Sequence, residues 1–146
     1  EWFAGPLRLS GSLATGQAVL AAQAMGADMG YIGSAFIATK EARAVDTYKK
    51  MIADSSADDI VYSNLFTGVH GNYLKASVRN AGMDPDNLPE SDPSQMNFGS
   101  KTTKAWTDIW GCGQGIGAVD EVLSVADYVS KLKGEYDAAK KRICAA

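Results

Sequence analysis

One histidine and two cysteines are all that this chain offers for nitrogen or sulfur ligation of a metal, or for thiol chemistry. His70 has no second ligand at zinc-type spacing, so a Cys/His metal site is not expected. Cys112 and Cys144, in a chain with no export signal, point to free thiols rather than a disulfide. No apolar run reaches the roughly 20 residues of a membrane span. Neither sign of charge dominates: 14 Lys and Arg face 17 Asp and Glu, for a net charge of −3. That balance lacks the basic footprint of a nucleic-acid binder. The opening residues, Glu1-Trp2-Phe3-Ala4-Gly5-Pro6, have no basic n-region and no apolar h-region, so no signal peptide is expected and the cytoplasm is the expected location. The chain has no initiator methionine, and an acidic and aromatic start suggests that it begins inside a longer one. No Ser/His/Asp or Cys/His arrangement stands out, nor does a pair of carboxylates. What remains is one domain's worth of sequence, 146 residues at 46% hydrophobic, enough for a core.

Glycine, by contrast, is plentiful, and its placement is informative. Residues 7–10 read as a short strand that runs into Gly11 and Ser12. An alanine-rich stretch over 14–25 is apolar almost all round and reads as a helix packed with little solvent on it, closed by Gly26 as its C′ residue. Residues 29–32 form a second short strand that ends in Gly33 and Ser34. Two strands joined by a helix of this length predict a parallel βαβ unit. Each strand then ends in a small-residue turn, where backbone N–H groups can approach an anion closely. The two turns can therefore hold a phosphate at the C-terminal ends of adjacent parallel strands, or be two ordinary βα turns.

Beyond Ser34 the chain is helical and loop-rich. Thr39 is a plausible N-cap for a helix over 40–53, with Val45, Tyr48, Met51 and Ile52 as its apolar stripe. Residues 60–63 suit a strand or an extended run, and 69–81 read as a helix ending at Gly82. Residues 83–100 hold Pro85, Pro89 and Pro93 and no period, which marks a loop. Trp106, Ile109 and Trp110 form an aromatic patch. Ser124, with Asp127 three residues on, caps a last helix that buries Val125, Tyr128, Val129 and Leu132.

Three features admit a chemical or a structural reading. Residues 113–118, GQGIGA, fit a G-x-G-x-x-A pattern but follow no convincing strand; they suit an active-site loop with Gln114 as a polar contact, or a linker. His70 lacks a neighbouring carboxylate to orient it and reads as structural rather than as a general base. Trp106 and Trp110 could stack a flavin or simply pack on one helical face.

Residues 6–17, PLRLSGSLATGQ, resemble the seventh strand and turn of nitronate monooxygenases, once called 2-nitropropane dioxygenases. Residues 24–28 (AMGAD) and 32–39 (IGSAFIAT) are similar to that family's eighth strand, with Ser34 where threonine is usual. GQGIG at 113–117 is similar to its late Gly-Gln motif. The resemblance implies an α/β fold: the C-terminal part of an FMN-dependent (β/α)8 barrel, comprising its last two strands and final helix. It divides the chain into 1–40 (the last two β/α units), 41–104 (a helical, loop-rich insertion) and 105–146 (a glycine-rich loop and the barrel-closing helix). By position, Ser10, Gly11, Ser12, Gly33 and Ser34 would bind the FMN phosphate, and Gln114 would lie near the flavin. The family's catalytic histidine would lie upstream of this chain, so no catalytic residue is expected within it. The implied activity is oxidation of alkyl nitronates by oxygen, or reduction of enoyl or quinone substrates on the same fold. A further alternative is a non-enzymatic segment, inactive without its N-terminal half. Two strands alone leave unpaired edges, so the missing half of the barrel or a second copy is the expected partner.

Overall fold

The computed structural model describes residues 3–91 and 108–145. Trp106 and Pro93 of the sequence reading lie outside them. The first strand, β1 (Arg8–Ser10), leads through a turn into helix α1 (Gly16–Ala24), and the chain returns in β2 (Met29–Tyr31). The two strands pair in parallel, with Arg8 opposite Met29, Leu9 opposite Gly30 and Ser10 opposite Tyr31. The expected parallel βαβ unit is therefore present. Local chemistry sets its ends. The Thr15 side chain accepts from the Ala18 N–H at the start of α1. Gly26, at φ +98, closes the helix; its N–H donates to Gln23 O and that of Ala27 to Ala22 O, the two bonds of a Schellman motif.

α1 is not buried all round as its composition suggests: Gly16 and Ala22 are buried, while Gln17, Ala21 and Gln23 are exposed. One side of it meets the sheet and another the last helix, α5 (Val125–Cys144). Approach there is very close, since a Cβ on Gly16 would lie 2.1 Å from Leu132 O. Glu135 Oε2 accepts from Gly16 N–H at 2.7 Å, Tyr128 Oη donates to Ala14 O at 2.9 Å, and Tyr136 Oη donates to Gln23 Oε1 at 2.6 Å. Ser124 caps α5 as its sequence suggests, accepting from Asp127 N–H. Tyr128 is buried, but Val129, expected beside it, is 49% exposed.

Two expected helices are corrected. After β2 comes a single turn, α2 (Ser34–Ile37), and the next helix, α3, spans only Asp46–Ala53. Residues 38–45 are not helical, and the backbone of Thr39 and Lys40 is engaged elsewhere. Thr39 bridges Leu123 in parallel, and Lys40 N–H donates to Leu123 O at 2.9 Å. Thr39 is thus not an N-cap; its hydroxyl donates to Phe36 O. Val45, assigned to the apolar stripe, is 60% exposed. The helix expected over 69–81 is a strand followed by a helix. β3 (Ile60–Ser63) pairs antiparallel with β4 (Gly71–Leu74), and only then does α4 (Lys75–Asn80) begin. β4 is flanked on its other side by the segment around Gly111: Leu74 N–H donates to Trp110 O and Cys112 N–H to Asn72 O. Hydrogen bonds to two other segments decide residues 71–74, which carry no strong period of their own. Gly82, at φ +81, ends α4 as expected.

The main core gathers Ala35, Ile52, Leu74, Ile116 and Tyr128, from every part of the chain, with Phe36 edge-on to Tyr128 at 5.0 Å. A smaller cluster joins Tyr73, Val78 and Ile109. Among the described residues the β1–β2 sheet is covered on one face. Gly30 meets Val19 and Leu13 from the α1 side. Arg8, Ser10, Met29 and Tyr31, the residues alternating with that face, are exposed. Among the described residues this sheet has two strands, so both its edges are unpaired.

Candidate anion-binding cleft

Parallel pairing brings Ser10 and Tyr31 side by side, so the turns that follow them leave the sheet at the same end. Gly11 turns at φ +96 and Ser12 at φ +52. Ser12 is the one non-glycine residue in the left-handed region among the described residues, a conformation that costs a side-chain-bearing residue about 1–3 kcal/mol and that clusters at ligand sites. From the other strand come Gly33 and Ser34. The five residues expected to hold a phosphate, Ser10, Gly11, Ser12, Gly33 and Ser34, all line one cleft of about 140 Å³. A single water needs about 10–15 Å³, so the cleft has room for a larger group. Leu13, Ala14, Tyr31 and Ala35 complete its walls on this side.

The opposite wall is the glycine-rich loop. Gly113 and Gly115 line the cleft, although neither was expected to. The sequence suited their loop to an active site but singled out Gln114, and a glycine run says nothing about what the loop packs against. Gly113 N–H donates to Ser34 Oγ at 2.7 Å. A Cβ on Gly115 would lie 3.0 Å from the Ser12 carbonyl carbon. Gln114 opens a 3-10 turn, Gln114–Ala118, is exposed, and is not a lining residue. The loop does not lead into an α-helix, so the dinucleotide fingerprint lacks its structural context.

The cleft is electrically neutral in its side chains, with neither a carboxylate nor a cation among the lining residues. Its polarity comes from the Ser10, Ser12 and Ser34 hydroxyls and from backbone amides, a donor set suited to an oxyanion held without an ion pair. Among its lining residues no histidine, carboxylate or amine stands beside the Ser10, Ser12 and Ser34 hydroxyls or the Tyr31 phenol to serve as their base. His70 sits at the exposed return of the β3–β4 hairpin, stacked on the Tyr62 ring at 4.8 Å. Trp110 stacks on Tyr48, 5.0 Å between centroids, and Tyr48 Oη donates to Gly111 O. Burial pushes the Cys112 thiol up to about 12, far from the thiolate a nucleophile requires.

The arrangement so far defines a mixed α/β fold with a small-residue cleft at the ends of paired parallel strands. Comparison with known proteins carries this further. The family model described as nitronate monooxygenase matches residues 6–135, and the chain belongs to that family. No curated protein matches. Among solved structures, nitroalkane oxidase from Streptomyces ansochromogenes is 21% identical, with a TM-score of 0.71 over 97% of this chain. FabK from Thermotoga maritima is 19% identical, with a TM-score of 0.70 over 98% of it, and a mutant of the same FabK is 22% identical at the same TM-score. At such identities the likeness is one of fold. The chain spans less than half of each structure: 42% of the nitroalkane oxidase, 48% of FabK and 45% of its mutant.

Proposed function

We propose that this chain supplies the phosphate-binding end of an FMN-dependent oxidoreductase that oxidises alkyl nitronates with oxygen in the cytoplasm. The reading rests on one observation above the others: two small-residue turns, one with a left-handed serine, converge on a neutral cleft at the ends of parallel strands. Membership of the nitronate monooxygenase family supports it. When bound, the flavin supplies the redox chemistry. The role of this chain is to bind and orient. The Gly11–Ser12 and Gly33–Ser34 turns would donate amide and hydroxyl hydrogens to the phosphate, fixing the cofactor at one end. The open face and edges of the β1–β2 sheet would take the remaining strands of a (β/α)8 barrel, which would hold the flavin ring and the catalytic histidine. On this reading the chain alone is inactive.

A second reading, a flavin-dependent enoyl or quinone reductase of the same fold, rests on the likeness to FabK as well as to nitroalkane oxidase. Both place the same demand on the cleft, so flavin binding is tested first. The protein with its full barrel should show bound-flavin absorption. Gly11→Asp, which strains the turn and adds an anion beside the phosphate, should abolish it. Absence of flavin in the wild type, or retention of flavin by the variant, would overturn the reading. Parallel assays with a nitronate and with a quinone then separate the two activities.

A further inference from the structure

The glycine-rich loop touches both turns of the cleft, yet lies about 80 to 100 residues away in sequence. It meets each turn differently. At Ser34 the contact is a hydrogen bond: Gly113 N–H donates to the hydroxyl oxygen at 2.7 Å. Accepting that bond leaves the serine its own proton to donate, and a hydroxyl that accepts one bond donates a stronger one. At Ser12 the contact is steric. The position of a Gly115 Cβ lies 3.0, 3.1 and 3.2 Å from the carbonyl carbon, oxygen and Cα of Ser12, all backbone atoms that have no easy way to yield. Ser12 is also the residue whose left-handed backbone needs outside support. The loop is itself well anchored, since Cys112 and Ile116 are buried in the main core on either side of the contacts.

We propose that the Gly113–Gly115 segment is a strap that holds both turns in their anion-binding shape. Gly115 is a positioning residue for Ser12, and Gly113 is one for the Ser34 hydroxyl. The inference deepens the phosphate reading and rests on it for the identity of the ligand. It gives the glycine run a purpose distinct from nucleotide recognition by the run itself: glycine is needed at 115 because backbone meets backbone there.

Glycine 117 provides a control in the same loop, because a Cβ there would find nothing nearer than Ala57 N at 3.8 Å. The test is NMR on the full chain, with inorganic phosphate and FMN as probes. In the wild type, the Ser12 Cα and Cβ shifts should be those of a left-handed residue, and phosphate should move the amides of Gly11, Ser12, Gly33 and Ser34. In Gly115→Ala the Ser12 shifts should lose that signature and phosphate affinity should fall about tenfold, the scale of one lost charge-assisted hydrogen bond. Gly117→Ala should match the wild type. Ser34→Ala removes the anchor without adding bulk, so it covers the case in which Gly115→Ala fails to fold; it should expose the Gly113 amide to solvent exchange and weaken phosphate, and Ser34→Thr should restore both. Wild-type Ser12 shifts and phosphate affinity in Gly115→Ala, or an unaltered Gly113 amide in Ser34→Ala, would overturn the strap. If the wild type ignores phosphate while Ser12 still responds to Gly115→Ala, the strap stands and the phosphate reading falls.

Discussion

Tyr128 shows how one side chain ties function to stability. Its ring fills the core beside Phe36, and its hydroxyl donates to Ala14 O, just after the Gly11–Ser12 turn. Burial, then the nearby Glu135, pushes that hydroxyl up to about 12 from its ordinary 10. Burial does the same to Tyr48, and it lifts the Cys112 thiol from 9 to about 12. All three groups keep their protons in the folded chain where the unfolded chain has begun to lose them. Their contribution to stability is therefore complete below about pH 9 and is lost as pH rises toward about 12. Tyr128→Phe should cost about 1 kcal/mol near neutral pH for the lost hydrogen bond. It should also make the alkaline fall shallower, which urea unfolding at about pH 7 and about pH 11 would measure. An equal slope in wild type and variant would refute the assignment.

At the scale of elements, two helices add to their local caps a carboxylate from far away. α1 has no acidic residue in its first turn, and its missing anion comes from Glu135 on α5. α5 in turn has the Glu41 carboxylate on Val125 N–H, at 3.1 and 2.9 Å. An anion at a helix N-terminus both satisfies an orphan amide and complements the dipole. Glu135→Ala should therefore destabilise the chain by about 1–2 kcal/mol, with Glu135→Gln losing less, as judged by denaturant midpoint. These two carboxylates were not legible in the sequence, because partners more than 80 positions away carry no local signature. The same limit explains the helix wrongly expected over 69–81. Residues 71–74 have no strong period of their own, and pairing with β3 and the Gly111 segment decided them. In contrast, Gly26 and Gly82 mark their helix ends by a purely local requirement, a positive φ, and both were readable.

On the scale of the whole molecule, the dominant feature is a parallel sheet that, among the described residues, has one bare face and two bare edges. Parallel sheets are normally covered on both faces, and exposed edges invite pairing. Leu7, Met29 and Tyr31 are exposed at 52%, 42% and 59%, apolar surface that a partner would cover. The chain in isolation should therefore associate. Light scattering on eluted material should give a mass above 15.4 kDa, and supplying the remaining strands of the barrel should replace that species with a defined complex. A monodisperse species of 15.4 kDa that ignores those strands would refute this.

By itself, the sequence determined whatever depends on a few adjacent residues. That includes the βαβ unit, the two small-residue turns, the glycine helix ends and the Ser124 cap, each governed by backbone sterics and short-range hydrogen bonds. Only the tertiary structure decided which distant segments meet. It turned residues 71–74 into a strand, made Thr39 a bridge to Leu123 instead of a helix cap, and laid Gly113 and Gly115 against Ser34 and Ser12. Such contacts depend on where the core lets two backbones approach, and no spacing along the chain encodes that directly.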